Sequence, residues 1–491
     1  MSVRGRLLKD RALAASGAER QRYYREAAAA YARAGEMGGA TYPLINAATL
    51  SLLAGENDQS RARAREVLEK ISRADDEQET PYYRIATRSE ALLLLGDMAQ
   101  ARISLSQAVA LAPRAYEDHA STLRQFGLIL DALGQDKSWL DPCRPPRSLH
   151  FAGHMAPADG GTIRRRIRAV IREERIGFGF GALAAGADIL VAEALLESGA
   201  ELHLILPAPT DAFREASVTR FGGDWGTRFD RIVGAANSAR SVARDSEPLS
   251  PLALQLAAEV AIGRSVLQAT NLMTEAVQLL ILEREPPIAL AAGGSGWIGS
   301  IWQKSGRRQR ILTAPRASSA SPGTFGSGTS RYCLAAALKI DLHAMDADRL
   351  AMEVLPLIAR ALATGPEPLV PPRWTDDGIL VAFDAPASAA LAALSVASAT
   401  EMVVDIRIAG HYAIFHCAHD PFGGELILLG PAMTMLQQVA ASAPPGAIHV
   451  TEDFAAALNA GPVVERQRTE YVGELGFDMH ADSMGLFSLK R

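Results

Sequence analysis

From residue 1 to about residue 140 the apolar residues fall at helical spacing, Ala and Leu alternating with Arg and Glu, and the pattern breaks at Gly-acid pairs and at proline. The breaks recur. LSLLAGENDQSRARAREVLEKI and ALLLLGDMAQARISLSQAVALAP share one form: leucines, Gly-acid, a spacer and an Ala-rich helix. The turn glycines Gly55 and Gly96 stand 41 residues apart, and Gly134 in LILDALGQDKSWL follows after another 38. That period predicts helical hairpins stacked as a solenoid, against the alternative of an irregular helical domain without repeats. Each glycine closes a helix in a left-handed C-cap, and Glu56 or Asp97 favours the start of the next.

The joint Asp141–Arg147, DPCRPPR, ends the helices, because proline neither donates to a helix nor lets its predecessor stay helical. From Ser148 apolar runs alternate with helical stretches: SLHFAGHM, TIRRRIRAVIREER, IGFGF, AGADILVAEALLESG, AELHLILPAP, and later VQLLILE, PIALAAGGSG and QRILTAP. Strands alternating with helices predict a doubly wound α/β sheet. Residues 314–331 are rich in Ser, Gly and Pro and read as a flexible linker. Beyond it, strands such as ALKIDLHAM and MVVDIRIAGHYAIFHC mix with helices such as AMTMLQQVAASA in an α+β unit. The expected organisation is 1–140 helical repeats, 148–313 an α/β domain, 314–331 a linker and 332–491 an α+β domain.

Composition narrows the classes of function. The 491 residues amount to about three domains at roughly 150 residues each. Fifty basic against fifty-five acidic side chains give a net charge of -5, so nucleic acid is not an expected partner. Three cysteines, Cys143, Cys333 and Cys417, lie far apart in sequence without a CxxC pair, which suits a reducing compartment and offers no zinc site. The opening residues never build the apolar core of a signal peptide, and no stretch reaches the eighteen or so apolar residues of a membrane span. A cytoplasmic location with no membrane partner is the expectation.

The helical segment, through YPLINAATLSLLAGEN, YYRIATRSEALLLLGD and STLRQF, resembles the tetratricopeptide-like region in the TRAFs-binding part of stress-activated MAP kinase kinase kinases and in many bacterial proteins. The resemblance covers most of residues 20–135 and implies a protein partner.

Two glycine turns point to a phosphate or nucleotide pocket in the α/β domain. One combines Phe151-Ala-Gly-His-Met155 with the run from Gly177 to Gly186; the other is Gly293-Gly-Ser-Gly296. Glycines after a strand let the backbone bend, bring N–H groups near an anion and aim a helix N-terminus at it. FAGHM, GFGALAAGADILVAEALLESGAELHLILP and GGSG resemble the SLOG superfamily, the Rossmann-like group with the DNA-processing protein Smf and the lonely-guy hydrolases. That resemblance implies that Gly153, Gly181, Gly186, Asp188, Gly293, Gly294, Ser295 and Gly296 line a nucleotide-derived ligand, with a hydrogen bond from His154. The hydrolases carry PGGxGT and then a catalytic glutamate, whereas the stretch from Ala291 to Trp297 has neither the Pro, the Thr nor a following acid. Glu193 is the one nearby acid considered as a base, with a solvated or capping helix residue as its plain alternative. The basic run Arg164–Arg168 reads as a helix face in solvent or as a contact for ligand phosphates.

DIRIAGHYAIFHC, LLGPAMTMLQQVAASAPPGAIHVTEDFAAAL, EYVGELGF and GLFSLKR resemble a class III adenylate/guanylate cyclase homology domain, over about residues 331–491. Such a domain holds two divalent ions on two carboxylates, with an asparagine and an arginine one helical turn apart to orient ribose and stabilise the transferring phosphoryl. The resemblance places Asp341 and Asp377 at the carboxylate positions, with magnesium as the implied cofactor if the site keeps its ions. Gly430 and Gly446 keep the family's spacing of 16, which puts Thr434 at the Asn position and Gln438 at the Arg position. Ala409 and Ala413 replace the glycines expected around His411, and Leu-His-Ala follows Asp341 in place of a glycine-containing turn. The domain reads as a degenerate cyclase. His416-Cys-Ala-His419-Asp420 has no second cluster and is not expected to bind metal.

The expected function is a signalling scaffold: repeats that bind a protein partner, an α/β domain that senses a nucleotide-like ligand, and a pseudo-cyclase that forms a homodimer or heterodimer and regulates. The rival expectation is an enzyme, either a class III cyclase completed by a partner chain or a SLOG-type nucleotide N-glycosidase.

Overall fold

The computed structural model describes residues 2–38, 40–73, 79–155, 157, 160–243, 249–283, 293–317, 331–342, 346–375, 377–421, 423–462, 468–477 and 480–490. Contacts divide the chain into two compact units, Met1–Pro145 with Thr270–Thr274, and Pro146–Ala269 with Glu275–Arg491. The strand expected over PIAL and Ala291–Ala292 lies outside the described residues, as do 318–330 of the expected linker and His343 and Ala344 after Asp341.

The first unit is helical: α1 (Ser2–Ala14), α2 (Gly17–Gly38), α3 (Thr41–Leu53), α4 (Asn57–Arg73), α5 (Pro81–Leu94), α6 (Met98–Leu111) and α7 (Tyr116–Leu133). Gly55, Gly96 and Gly134 take φ of 81°, 87° and 63°, the left-handed conformation that glycine adopts without a Cβ clash. At the first of them Gly55 N donates to Leu52 O and Glu56 N to Ser51 O, a Schellman closure of α3, and the same pattern closes α5 at Gly96. Asp97 then caps α6 through Gln100 N at 3.1 Å. A polar thread joins the odd helices inside this unit. Buried Glu90 of α5 accepts from Thr49 of α3 at 2.5 Å and from Gln125 of α7 at 3.1 Å, and Lys9 of α1 donates to Gln125 at 2.8 Å. Burial raises the Glu90 carboxyl pKa and lowers that of the Lys9 ammonium.

The second unit opens with β1 (Arg147–Gly153), α8 (Gly160–Glu173), β2 (Ile176–Gly181), α9 (Ala187–Glu197), β3 (Glu201–Leu206), α10 (Thr210–Ser217), α11 (Trp225–Ala235), β4 (Ser238–Ser241), α12 (Pro251–Asn271), β5 (Ala276–Leu282), α13 (Ser295–Lys304) and β6 (Gln309–Thr313). These strands form a six-stranded sheet in the order β4-β3-β2-β1-β5-β6, every neighbouring pair parallel. Leu149, Phe151, Leu279 and Ile281 face the core with α8 to α11, and Leu280 and Leu282 face α12 and α13 around fully buried Trp302.

The run from Gly177 to Gly181, expected as part of a glycine loop, is strand β2. Its alternate glycines share one face, and each is forced by packing: a Cβ at Gly177 would stand 2.5 Å from Pro146, at Gly179 2.4 Å from Leu195, and at Gly181 2.7 Å from the Phe151 carbonyl oxygen. Helix α9 approaches the sheet closely at Gly179, where the side chain is missing. Ala314 and Arg316, which composition assigns to the linker, are tied to the α/β sheet: Ala314 N donates to Leu282 O, and Arg316 bridges to Pro157.

The C-terminal part runs β7 (Tyr332–Asp341), α14 (Ala347–Arg349), a π turn, α15 (Leu355–Ala363), β8 (Val370–Thr375), β9 (Gly378–Phe383), α16 (Pro386–Thr400), β10 (Arg407–His419), β11 (Leu426–Leu429), α17 (Pro431–Ser442), β12 (Ile448–Thr451), α18 (Glu452–Ala460), β13 (Arg468–Phe477) and β14 (His480–Lys490). Its mixed sheet has the order β13-β14-β12-β10-β7-β9-β8, with β11 paired to β10. Only β10 and β12 run parallel among these pairs. Ala409, Phe415 and Cys417 of β10 face α17 through Leu436, and Gly410 on the opposite face packs on Phe454 of α18.

The two sheets of this unit are joined through α12 and α18. Ala460 of α18 lies in one apolar cluster with Ile262, Val266, Ile298 and Trp302. Arg264 pairs with Glu452 at 3.0 Å, Arg240 with Asp453, and buried Tyr412 of β10 donates to Glu259 of α12 at 2.6 Å.

Candidate functional site: a crevice at the strand-order reversal and a carboxylate pair in the mixed sheet

In the parallel sheet the chain steps outward from β1 through β2 and β3 to β4, then returns to the other side of β1 with β5. Strand order therefore reverses between β1 and β5. The loops at the carboxyl ends of such a pair diverge and leave a crevice, the usual ligand position in open α/β sheets. The chain beyond β1 supplies Gly153 and His154, and the chain beyond β5 supplies Gly293 to Gly296 ahead of α13. The turn from β2 into α9 ends at Gly186.

Close packing fixes the floor of the crevice. A Cβ at Gly153 would lie 2.4 Å from Ala187 and 3.0 Å from Ile281, so the start of α9 rests directly on the ends of β1 and β5. Gly186 caps α9 with φ 109° and ψ −117°, a conformation only glycine adopts readily, and it bridges to Met155. Gly293, φ 77°, sits on α12, where a Cβ would be 2.6 Å from Leu254. Gly294 caps α13, whose first turn begins at Ser295 and Gly296 and contains no acid. Its N–H groups and dipole favour an anion there. The first turn of α9, in contrast, carries Asp188.

Asp188 Oδ2 accepts from Ala184 N at 3.1 Å, while buried Oδ1 has no hydrogen-bond partner among the described residues. Burial pushes the carboxyl up to about 7 against the opposing pull of the Ala184 and Gly153 amides. A raised carboxyl pKa means that the fold favours the protonated form, so stability falls as pH climbs from the unfolded value near 4 to about 7 and stays low above it. Asp188→Asn removes that titration. Its stability relative to the native chain is expected to rise by on the order of 4 kcal/mol between pH 4 and pH 8, from a shift of about three units, as measured by denaturant unfolding at the two pH values.

His154 is buried, with Nε2 2.8 Å from Ala314 O and Nδ1 3.0 Å from Met155 O. Both ring nitrogens are thus engaged by the chain, and the imidazole pins Ala314 beside the crevice. Gly181 is the last residue of β2, where the missing side chain lets it approach Phe151. Glu193 is buried two turns into α9 among three guanidinium groups: Arg164 at 3.0 Å, Arg228 at 2.7 and 2.8 Å and Arg231 at 2.7 Å. Arg228 also stacks on Trp225 at 4.2 Å, and its own pKa is raised, first by the bond to Glu193. Both Glu193 oxygens are committed to tying α8, α9 and α11 together. The rest of the basic run is a solvent face of α8: Arg165, Arg166 and Arg168 are exposed, with Arg166 on Thr313 O at 3.0 Å and Arg168 on Glu197 at 2.6 Å.

In the mixed sheet, register pairs Asp341 with Gly378, which brings the end of β7 beside Asp377 in the β8–β9 turn, and Leu342 N donates to Asp377 O at 3.0 Å. Sequence reasoning passed over Lys339. It lies two residues before Asp341 on the same strand face, is 4% exposed, and places Nζ 2.6 Å from Asp377 Oδ1 and 2.7 Å from Oδ2. The ammonium holds the Asp377 carboxyl below its ordinary range. Arg407 Nη1 faces Asp341 Oδ2 at 3.5 Å. Asp341 and Asp377 would be the residues to supply oxygens to a magnesium ion, but the Lys339 ammonium already meets both Asp377 oxygens and Arg407 faces Asp341. These residues do not fit the two-ion site that the resemblance implies. The signal was present in the sequence as a lone lysine within the apolar run LAAALKID.

Thr434 and Gln438 are exposed one turn apart on α17, whereas Met435 and Leu436 between them are buried, Leu436 in the cluster with Ala409 and Phe415. Buried His411 bonds Thr451 at 2.9 Å. Cys333 and Cys417, distant in sequence, are hydrogen-bonded neighbours on β7 and β10, and burial with the adjacent thiol pushes Cys333 up to about 12. Among the described residues no group of three or more His, Cys, Asp or Glu side chains is placed to hold a metal ion, and no helix is long and apolar enough to cross a membrane.

Residues 1–51 match the family described as Tetratricopeptide Repeats-Sensor. No curated protein matches the chain. Solved structures similar to it include the adenylyl cyclase CyaB from P. aeruginosa, 8% identical, covering 33% of this chain and 95% of that one with a TM-score of 0.26. Another is the adenylate/guanylate cyclase/hydrolase from Silicibacter pomeroyi, at 19% identity, 33% and 99% coverage and a TM-score of 0.26. A third is the non-canonical dimeric guanylyl cyclase domain of the RhoGC fusion protein from the aquatic fungus Blastocladiella emersonii, at 13%, 33% and 98%, with a TM-score of 0.26.

Proposed function

We propose that the chain is a ligand-sensing signalling scaffold whose α/β part binds a phosphate-containing nucleotide derivative in the crevice between β1 and β5. The observation that carries this reading is the reversal of strand order at β1/β5, with glycine-bearing turns at the carboxyl ends of β1, β2 and β5. Phosphate belongs at the acid-free N-terminus of α13, around Gly294, Ser295 and Gly296, and the Asp188 side suits hydrogen-bond donors of the ligand, such as sugar hydroxyls. The commitment of Glu193 to three arginines argues against N-glycosidic hydrolysis and for binding. The helical unit serves as the contact for a protein partner, in keeping with the sensor family matched at residues 1–51. The cyclase-like part is read as non-catalytic, associating with itself or a related domain.

Calorimetry of the full chain against a panel of nucleotides and ADP-ribose tests the pocket. Binding is expected in the native chain and its loss in Gly294→Val, where a side chain blocks the approach of backbone to phosphate, and in Gly186→Leu, where a side chain crowds the Asp188 side of the crevice. A folded native chain that binds none of the panel removes the pocket reading.

A further inference from the structure

Strand β7 is buried along most of its length, and its alternation puts Ala335, Ala337, Lys339 and Asp341 on the face toward α17. A lysine at the centre of a sheet, flanked in register by Ala409 and Leu380, is costly to hold unless its charge is met. The charge is met by the Asp377 carboxylate, both of whose oxygens lie within 2.7 Å of Nζ, and Thr375 Oγ1 donates to Oδ1 at 3.2 Å. Backbone geometry fixes the arrangement: Leu342 N holds Asp377 O, and Gly378 lets the turn close on β7, since a Cβ there would stand 2.0 Å from Ile340 O. Arg407, paired in register with Asp341, faces the second carboxylate from β10. The two acids are therefore balanced by two cations of the same chain.

We infer that Lys339 is a built-in counter-ion that closes the Asp341–Asp377 pair to divalent cations, and that one substitution at position 339 opens it. A dication approaching Asp377 meets a fixed positive charge at hydrogen-bond distance from both oxygens, and displacing the ammonium would strand it in an apolar sheet. With a neutral side chain of similar length at 339, Asp377 beside the end of β7 keeps an unbalanced carboxylate next to Asp341 and its one cation, Arg407. Hard oxygen donors of this kind take magnesium or manganese. The inference deepens the reading of this cleft as a non-catalytic relative of the cyclases, and its readout is metal binding in place of turnover.

The test is titration of the full chain with Mn2+, followed by the loss of the free-ion electron paramagnetic resonance signal, for the native protein, Lys339→Met, Lys339→Met with Asp377→Asn, and Asp377→Asn alone. Lys339→Met is expected to bind one Mn2+ at least tenfold more tightly than the native chain, and Asp377→Asn to abolish that gain while leaving the native titration unchanged. Lys339→Gln, which keeps a polar end, is held to the same outcome should the methionine variant fail to fold. Native binding as tight as that of the variant and lost in Asp377→Asn overturns the inference, as does a folded Lys339→Met or Lys339→Gln that binds no better than the native chain. In either case the absence of turnover in the native chain would leave the non-catalytic reading standing, so the two can fail separately.

Discussion

Gly263→Ala is expected to destabilise the second unit while Gly234→Ala, the same change in another helix, stabilises it. Gly263 lies in α12 where that helix crosses α18, and a Cβ there would stand 1.7 Å from the Ala456 carbonyl oxygen and 2.7 Å from its Cα. Backbone has to move, because no flexible side chain is there to yield. Overpacking of this kind costs about 1–3 kcal/mol and sometimes more. The loss is not confined to the contact point. Ala460 would be drawn from its cluster with Ile262 and Trp302, and the pairs Arg264–Glu452 and Tyr412–Glu259 would lengthen. Gly234, in α11, has nothing within 4 Å of the same hypothetical Cβ, and alanine there gains about 0.5–1 kcal/mol from lower unfolded-state entropy. Denaturant unfolding of the two variants beside the native chain gives the signs directly. Equal and small effects would mean that α12 and α18 are not packed as described. Hydrogen exchange adds the location: protection should fall in both α12 and α18 for Gly263→Ala and in neither for Gly234→Ala.

What the sequence revealed and what it concealed divide along the distance over which each signal acts. The closures at Gly55, Gly96 and Gly134 were legible because a left-handed residue followed by a cap is a local arrangement, complete within six residues. The alternation of strands and helices after Ser148 was legible for the same reason. The glycines of β2 supported two readings, the apolar run IGFGF and part of a glycine turn, since glycine looks alike in a turn and in a strand. What decides is Leu195 of α9 and Pro146 before β1, whose closeness is tertiary. Glu193 offered itself as a lone acid in sequence, and its three arginines come from two other helices. Cys333 and Cys417 became neighbours only through the β7–β10 register. The reversal at β1/β5, on which the pocket rests, follows from where β5 inserts, and nothing in the composition of VQLLILE announces that. Asp341 and Asp377 were singled out through a resemblance, but the lysine that balances Asp377 belongs to no motif and emerged from the geometry.

The purified chain is expected to make no cyclic nucleotide from ATP or GTP with magnesium or manganese. Three deficits act together. Where the resemblance places the residue that stabilises charge on the transferring phosphoryl, the chain has Gln438, exposed on α17 and neutral. By analogy with arginine fingers, loss of such a cation costs about 10³–10⁵ in rate. Thr434, one turn earlier, is shorter than the amide it replaces and carries one hydroxyl. At the metal positions the Lys339 ammonium neutralises Asp377 and Arg407 faces Asp341, which opposes the ions that would activate the ribose hydroxyl and neutralise the triphosphate. Because these groups would act as one unit, repairing one of them leaves the others limiting. Gln438→Arg alone, or Thr434→Asn with Gln438→Arg, is therefore expected to remain inactive, and activity above background is expected at the earliest when Lys339→Met is added to that pair. The control is the chain carrying Asp341→Ala and Asp377→Ala, assayed by chromatographic detection of cyclic AMP and cyclic GMP. Native turnover clearly above that control would show that Gln438 and Thr434 are not deficits, and would return the cleft to catalysis.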